Sequence, residues 1–301
     1  DIRSSSADIQ GDFKSFVIDI GDEVFEKYFE QQLSFDYILN LTALKHVRSE
    51  KDPYTLLRML KVNVINSRKL FDLASCNSKK YFCVSTDKAA NPVSLMGASK
   101  KLMEDFLCST MNEIPFSSAR FANVAFSNGS LLQGFQKRIE KKQPIACPND
   151  IERYFMTPAE SGQLCLLSCL LGKNREVFFP KINKEFKLVK IQEILFNFLK
   201  HHKLEPYLCS SEDEARSYFD NNHETNLWPC FLMQSDTSGE KPYEEFFGSS
   251  ETLKLDQFSS IGIVALNEQA LDYNNFINDI SAFESSANLQ KKDLVKNFYR
   301  Y

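Results

Sequence analysis

A hydroxyl, an acid and a base stand side by side at Thr86-Asp87-Lys88, and a second lysine, Lys100, follows on the next predicted helix. These are residue types that hold, give and take protons. Their setting is specific. Tyr81-Phe82-Cys83-Val84 reads as a strand buried on both faces. Asn91-Pro92 marks a turn that forbids a helix before it, and Leu102, Met103, Phe106 and Leu107 give the following segment an apolar helical stripe. Proton chemistry is thereby placed at the carboxyl end of a buried strand, facing a lysine on the next helix. Open α/β sheets bind their ligands there. Taken alone, the same residues also fit an ordinary strand–loop–helix junction, with Asp87 forming the turn and Lys88 in solvent.

The elements around this stretch alternate. Phe16–Ile20 reads as a short buried strand, 22–33 as a helix and Tyr37–Leu41 as the next strand. A long helix over 53–76 begins with Pro53 in its first turn and carries Leu56, Leu57, Leu60, Val64 and Leu70 inward. The strand at 80–85, a helix over about 97–112 and the strand Ser117–Phe121 follow. Strands alternating with helices predict a doubly wound parallel sheet. Beyond 130 the pattern loosens into helices near 130–142, 158–171 and 190–201 and a mixed stretch over 204–260, read as a smaller substrate domain. Residues 267–301 are polar and read as two surface helices.

Composition narrows the function classes. A 43% apolar fraction with 26 Phe over 301 residues supports a substantial core. The net charge of −4, without a basic stripe, gives no footprint for nucleic acid. The eight cysteines form no C-x-x-C pair, and the four histidines, His46, His201, His202 and His223, lack metal-ligand spacing, so no metal is expected. Leu164–Leu171, broken by Ser168, is too short to span a bilayer. A reduced, cytoplasmic protein with no membrane segment in this chain is the expectation. The chain opens at Asp1 without G-x-G-x-x-G, and its first predicted strand ends in Asp19-Ile20 as the third strand of a dinucleotide-binding sheet would. The first βαβ unit of such a sheet is therefore expected to be missing.

Five stretches, LTALKHVRSEKDP (41–53), CVSTDKAANPVSLMGASK (83–100), ARFANVAFSNGS (119–130), DIERYFMTPAESGQL (150–164) and GEKPYEEFF (239–247), resemble the UDP-N-acetylglucosamine 4,6-dehydratases in order and spacing. These are extended short-chain dehydrogenase/reductases of polysaccharide and nonulosonate biosynthesis, and the likeness runs from about Phe13 to Val264. It implies an α/β, Rossmann-like doubly wound sheet with a smaller mixed α/β substrate domain. The expected division is a partial NAD(P)-binding domain over 1–130, an interleaved UDP-sugar domain over 131–266 and a helical tail over 267–301. It also implies NAD or NADP as cofactor, a UDP-amino-sugar substrate and a homo-oligomer.

Position by position, the resemblance implies that Thr86, Asp87 and Lys88 are the catalytic threonine, acid and base, and that Lys100 binds the nicotinamide ribose. Asp19 and Ile20 would brush the adenine, Lys45 would lie near cofactor and sugar phosphates, and Asn63 would steady the active-site strand beside the cofactor. Asn123 would touch the UDP-sugar, with Arg153, Glu240 and Lys241 around the nucleotide. Met96 stands where most of the superfamily has tyrosine, and methionine has no proton to exchange; a branch of the dehydratases shares this methionine. The implied reaction oxidises C4, removes water across C5–C6 and returns the hydride to C6. Two other readings stay open: a UDP-sugar C4 epimerase, which needs no acid–base pair for C5 and C6, and a non-catalytic binding module on a degenerate dehydrogenase fold.

Overall fold

Tyr81, Phe82 and Cys83 have no exposed surface because their strand runs inside a sheet covered on both faces. The computed structural model describes residues 13–32, 34–45, 50–109, 114–184, 186–221, 226–235, 241, 243–298 and 300–301. In chain order its elements are α1 (Glu23–Glu30), β1 (Phe35–Asn40), α2 (Pro53–Leu60), a π turn (Lys61–Ile65), α3 (Asn66–Asn77), β2 (Ser78–Thr86) and a 3-10 turn (Asp87–Ala89). Then come α4 (Leu95–Cys108), β3 (Phe116–Phe121), β4 (Asn123–Val124), α5 (Leu131–Glu140), β5 (Ile145–Pro148), β6 (Glu152–Arg153), β7 (Phe155–Met156) and α6 (Pro158–Leu171). The remainder is β8 (Glu176–Pro180), β9 (Val189–Lys190), α7 (Ile191–His201), β10 (Glu205–Cys209), α8 (Glu212–Asn221), β11 (Leu227–Met233), β12 (Thr252–Lys254), β13 (Ile261–Ala265), α9 (Tyr273–Glu284) and α10 (Lys291–Phe298).

The main sheet has the order β1-β2-β3-β8-β13-β12, parallel from β1 to β8 and antiparallel at the β13 and β12 edge. Leu70, Phe71 and Ala74 of α3 and Met103 and Leu107 of α4 pack on one face against Tyr81, Cys83 and Phe116. Leu164, Cys165 and Cys169 of α6 cover the other face against Phe82, Val84 and Ala119. With helices on both sides, the fold is the expected doubly wound α/β type. A second, all-parallel sheet, β10-β11-β5, packs with α5 and α7 around Phe135, Leu195, Phe198 and Trp228. The chain passes between the two sheets more than once, since β8, β12 and β13 return to the first. No helix among the described residues is long and apolar enough to cross a membrane.

Three expectations change. Residues 16–20 form no strand: Phe16 is 53% exposed, Val17 has no cover, and Asp19 instead makes an Asx turn, its Oδ1 accepting from Gly21 N at 2.8 Å. Among the described residues no neighbouring strand pairs with this segment, so its apolar run has no ladder to join. The helical rod from Pro53 to Asn77 is interrupted by the π turn, whose buried Asn63 amide is committed to partners outside the rod. The tail is not only surface: Phe276, Ile280, Leu289 and Leu294 bury themselves against Leu56, Leu60, Leu102 and Phe106. Polar composition averaged along the tail concealed this stripe at helical spacing.

Candidate active site

Strand β2 delivers its last residues to a loop that is unusually well bonded. Thr86 is extended, and the 3-10 turn begins at once, so Thr86, Asp87 and Lys88 turn toward each other instead of alternating across the sheet. Asp87, almost wholly buried, accepts on a single oxygen, Oδ1, from Thr86 Oγ1 at 2.8 Å, Lys88 N at 2.9 Å and Lys88 Nζ at 3.0 Å. The Lys88 ammonium also lies 3.7 Å from Glu244 Oε1. Gly97 permits this closeness: a Cβ at that position would fall on the Lys88 carbonyl, so α4 can approach only as glycine.

Helix α4 carries the two other predicted residues. Ser94 caps it by accepting from Gly97 N at 3.1 Å. Met96 is buried, and its backbone N–H donates to Glu50 Oε1 at 2.8 Å. Lys100 is buried with its Nζ donating to Val84 O at 3.1 Å and lying 3.6 Å from Met103 Sδ. Burial lowers its pKa to about 8, against the opposing pull of Cys83 and Glu104. Lys100 is thus tied to the strand that bears Thr86–Lys88.

Asn63 acts from below. Its amide accepts from Leu44 N at 2.8 Å and donates to Leu44 O at 2.9 Å and Ser99 Oγ at 2.9 Å, clamping the chain after β1 to α4. The clamp fixes the neighbour of Lys45, whose Nζ donates to Ser127 Oγ at 3.0 Å. Arg153, expected in a charged loop, is buried and donates from Nη1 to the carbonyls of Glu152 at 2.8 Å and Lys241 at 3.0 Å. Lys241 faces Glu245 at 3.6 Å. Asn123 N donates to Tyr154 O at 3.2 Å within the β4–β7 pair. Asp19 pairs with Arg58 at 4.0 Å and Ile20 packs on the α3 core, so both join other surroundings than the Thr86–Lys88 group. Glu240 lies outside the described residues.

Three carboxyls of the site escape a reading by motif. Glu244 sits inside GEKPYEEFF, but its neighbours Glu240 and Lys241 drew the assignment. Burial raises the Glu244 pKa and Asp87 adds to this, while Lys88, Arg153 and Lys241 pull it down; burial prevails. Glu50 holds α4 at Met96. Glu104, fully buried, accepts from Ser85 Oγ at 2.6 Å and pairs with Arg120. None of these contacts has a sequence signal, because each spans distant parts of the chain. Among the described residues no group of His, Cys, Asp or Glu could hold a metal ion.

The family described as polysaccharide biosynthesis protein matches residues 2–265. An uncharacterized membrane protein of Methanocaldococcus jannaschii is 36% identical over 49% of this chain and 46% of its own. A UDP-N-acetylglucosamine 4,6-dehydratase (inverting) of Campylobacter jejuni is 28% identical over 84% of this chain and 73% of its own. A UDP-glucose 4-epimerase of Rickettsia canadensis is 29% identical over 48% of this chain and 44% of its own. The chain therefore spans less than half the length of the first of these relatives. Among solved structures, Pen from Bacillus thuringiensis superposes with a TM-score of 0.68 at 18% identity, over 99% of this chain and 85% of that one. The Bordetella bronchiseptica enzyme WbmG in complex with NAD and UDP gives 0.53 at 19%, over 76% and 69%. At such identities the superpositions speak for the fold alone.

Proposed function

The chain belongs to the polysaccharide biosynthesis protein family, and from that premise we propose that it is a nucleotide-sugar 4,6-dehydratase acting on UDP-N-acetylglucosamine. The observation that carries this reading is the cluster at the end of β2: a buried carboxyl that accepts hydrogen bonds from both a hydroxyl and an amine. A C4 epimerase has no use for a base and an acid aimed at C5 and C6, whereas a dehydratase needs both. Over alignments of similar extent the dehydratase of Campylobacter jejuni is the more similar, 28% identical over 84% of this chain against 24% over 81% for a UDP-glucose 4-epimerase of Rickettsia akari. The two sheets suit a division in which the first carries the cofactor and proton chemistry and the second the UDP-sugar, with residues 131–266 interleaved because β8, β12 and β13 return to the first sheet.

NAD or NADP fits the residues present. Lys100 offers a buried amine whose partners are a carbonyl and a thioether, leaving capacity for ribose hydroxyls, and Asn63 fixes the Leu44–Lys45 segment beside it. Bound there, the cofactor would accept and return the hydride. This chain's own groups do the rest. Thr86 bonds the C4 oxygen, Lys88 takes the C5 proton once the C4 ketone acidifies it, and a carboxyl protonates the hydroxyl leaving C6. By family resemblance that carboxyl is Asp87. Arg153, through its bonds to the Lys241 carbonyl, keeps the nucleotide-side loop against the site.

Incubation of the full-length protein with UDP-N-acetylglucosamine and NAD, followed by NMR, is the test. A 4-keto-6-deoxy sugar is the expected product. The C4 epimer in its place would assign the protein to the epimerases, and an unchanged sugar would return it to the binding modules.

A further inference from the structure

We infer that the tail over residues 267–301 braces the site from outside, with Tyr273 and Glu284 as positioning residues that hold the π turn from which Asn63 reaches the site. The tail follows the span 2–265 matched by the family. The dehydration proposed above enters only in making Lys45 and Lys100 residues of the site. The tail's contacts fall on both ends of the π turn. Lys61, its first residue, pairs with Glu284 at 2.5 Å, and Ile65, its last, accepts through its carbonyl from Tyr273 Oη at 3.4 Å. Between them Val64, without exposed surface, shares a core with Phe276, Ile280, Leu289 and Leu294 of the tail. Asn63 stands in the same turn and is bonded to Leu44 and Ser99.

Tyr273 is itself wedged among three elements. Its ring lies 4.6 Å from the Arg68 guanidinium of α3 and 5.2 Å, edge on, from Phe106 of α4, while its hydroxyl bonds the turn. Arg68 closes the group by donating from Nη1 to Phe106 O at 2.9 Å. The two tail helices are tied together, since Asp279 Oδ2 accepts from Asn297 Nδ2 at 2.8 Å, Arg300 Nη1 at 2.8 Å and Tyr301 Oη at 2.9 Å. A π turn takes in one residue more than an α turn and is rarely stable without support. Relaxation to α geometry would swing Asn63 about the rod axis by about 100°, the angle of one residue. Its amide would then leave Leu44 and Ser99. The half-exposed Lys61–Glu284 pair adds little stability by itself, so its part is to fix position. The tail therefore acts through Asn63 on the backbone beside Lys45 and on the residue before Lys100.

The Leu44 N–H reports this coupling, because it donates to Asn63 Oδ1 at 2.8 Å. In the full-length Tyr273→Leu/Glu284→Gln protein, amide hydrogen exchange followed by NMR should be about tenfold faster at Leu44 than in wild type. At Phe82 and Ala119, inside the main sheet, it should be unchanged. Wild-type exchange at Leu44 overturns the proposal. Equal acceleration at all three amides overturns it too, since the tail would then stabilise the whole fold and position nothing. Asn63→Ala supplies a second arm. There Leu44 should already exchange fast, and adding the two tail substitutions should not speed it further, because effects exerted through one residue do not add. A further tenfold gain would give the tail another route and sink the inference. Tyr273→Phe/Glu284→Gln and Asn63→Leu replace the first variants if those do not fold. Wild-type protein that leaves UDP-N-acetylglucosamine unchanged while this exchange pattern holds would refute the dehydratase reading alone.

Discussion

Arg120 and Lys88 each stand between two carboxyls near the same end of the main sheet, and the two groups are built differently. Arg120 has no exposed surface. It binds Glu104 through Nε at 3.0 Å and Nη2 at 2.6 Å, and Glu251 through Nη1 at 2.7 Å and Nη2 at 2.8 Å, with a further bond to Phe246 O at 3.1 Å. Burial works against its charge, but the two carboxylates prevail and hold the guanidinium above its usual range. Lys88 has one short contact, to Asp87, one long one, to Glu244, and a side chain 18% exposed. A planar fork can satisfy two carboxylates at once, while a point charge on a flexible stem cannot. The saturated cluster holds the 246–251 loop to the sheet and leaves no proton to move. The unsaturated one leaves a lysine with a single short contact beside a second, buried carboxyl.

The contrast breaks first at Arg120. Arg120→Met should cost about 3–5 kcal/mol of unfolding free energy in urea, since two buried carboxylates lose their partner. Stability within 1 kcal/mol or so of wild type would mean that the arginine cluster is no better consolidated than the lysine one.

Lys100 is a buried base without a carboxylate bond. Its folded pKa of about 8 lies below the ordinary 10.5, so the unfolded chain binds the extra proton between those values. Stability should therefore rise with pH from about 8 to about 10.5, and the deficit below that window is on the order of 3 kcal/mol at most. In Lys100→Met that rise should vanish from urea unfolding measured across the window. A rise of equal size in the variant would mean that other groups cause it.

Lys88→Ala tests the opposite prediction, of chemistry without stability. Turnover should fall about a hundredfold or more, near 3 kcal/mol of barrier, while UDP-N-acetylglucosamine still binds. The unfolding midpoint should fall less than in Arg120→Met, because Asp87 keeps its bonds from Thr86 Oγ1 and the residue 88 backbone N–H. Full turnover in this variant would place Lys88 among ordinary surface charges.

The smallest effect is expected at Met96. The Met96 backbone, fixed by Glu50, does the positioning, and the thioether has no proton to exchange. Met96→Tyr should leave the rate within about tenfold, roughly 1.4 kcal/mol. A dead wild type revived by tyrosine would show that the methionine had inactivated the site.

By itself the sequence determined the alternation of strand and helix through residue 121, and with it the doubly wound sheet, because the periodicity of apolar residues is a local property. It also placed Thr86, Asp87, Lys88 and Lys100 where β2 ends and α4 begins, since chain order dictates that junction. Burial was beyond its reach. Phe16–Ile20 has the composition of a strand and none of the neighbours, whereas the polar tail hides a stripe that closes over α2 and α4. Arg153 has the residue type of a solvated charge and is enclosed among carbonyls. The approach of Glu244 to Lys88 and of Glu251 to Arg120 joins segments 156 and 131 positions apart. Hydrogen bonds and charges act through space with no imprint on local sequence pattern, so only the folded chain decided which carboxyl was fully bonded to its cation and which stands off from it.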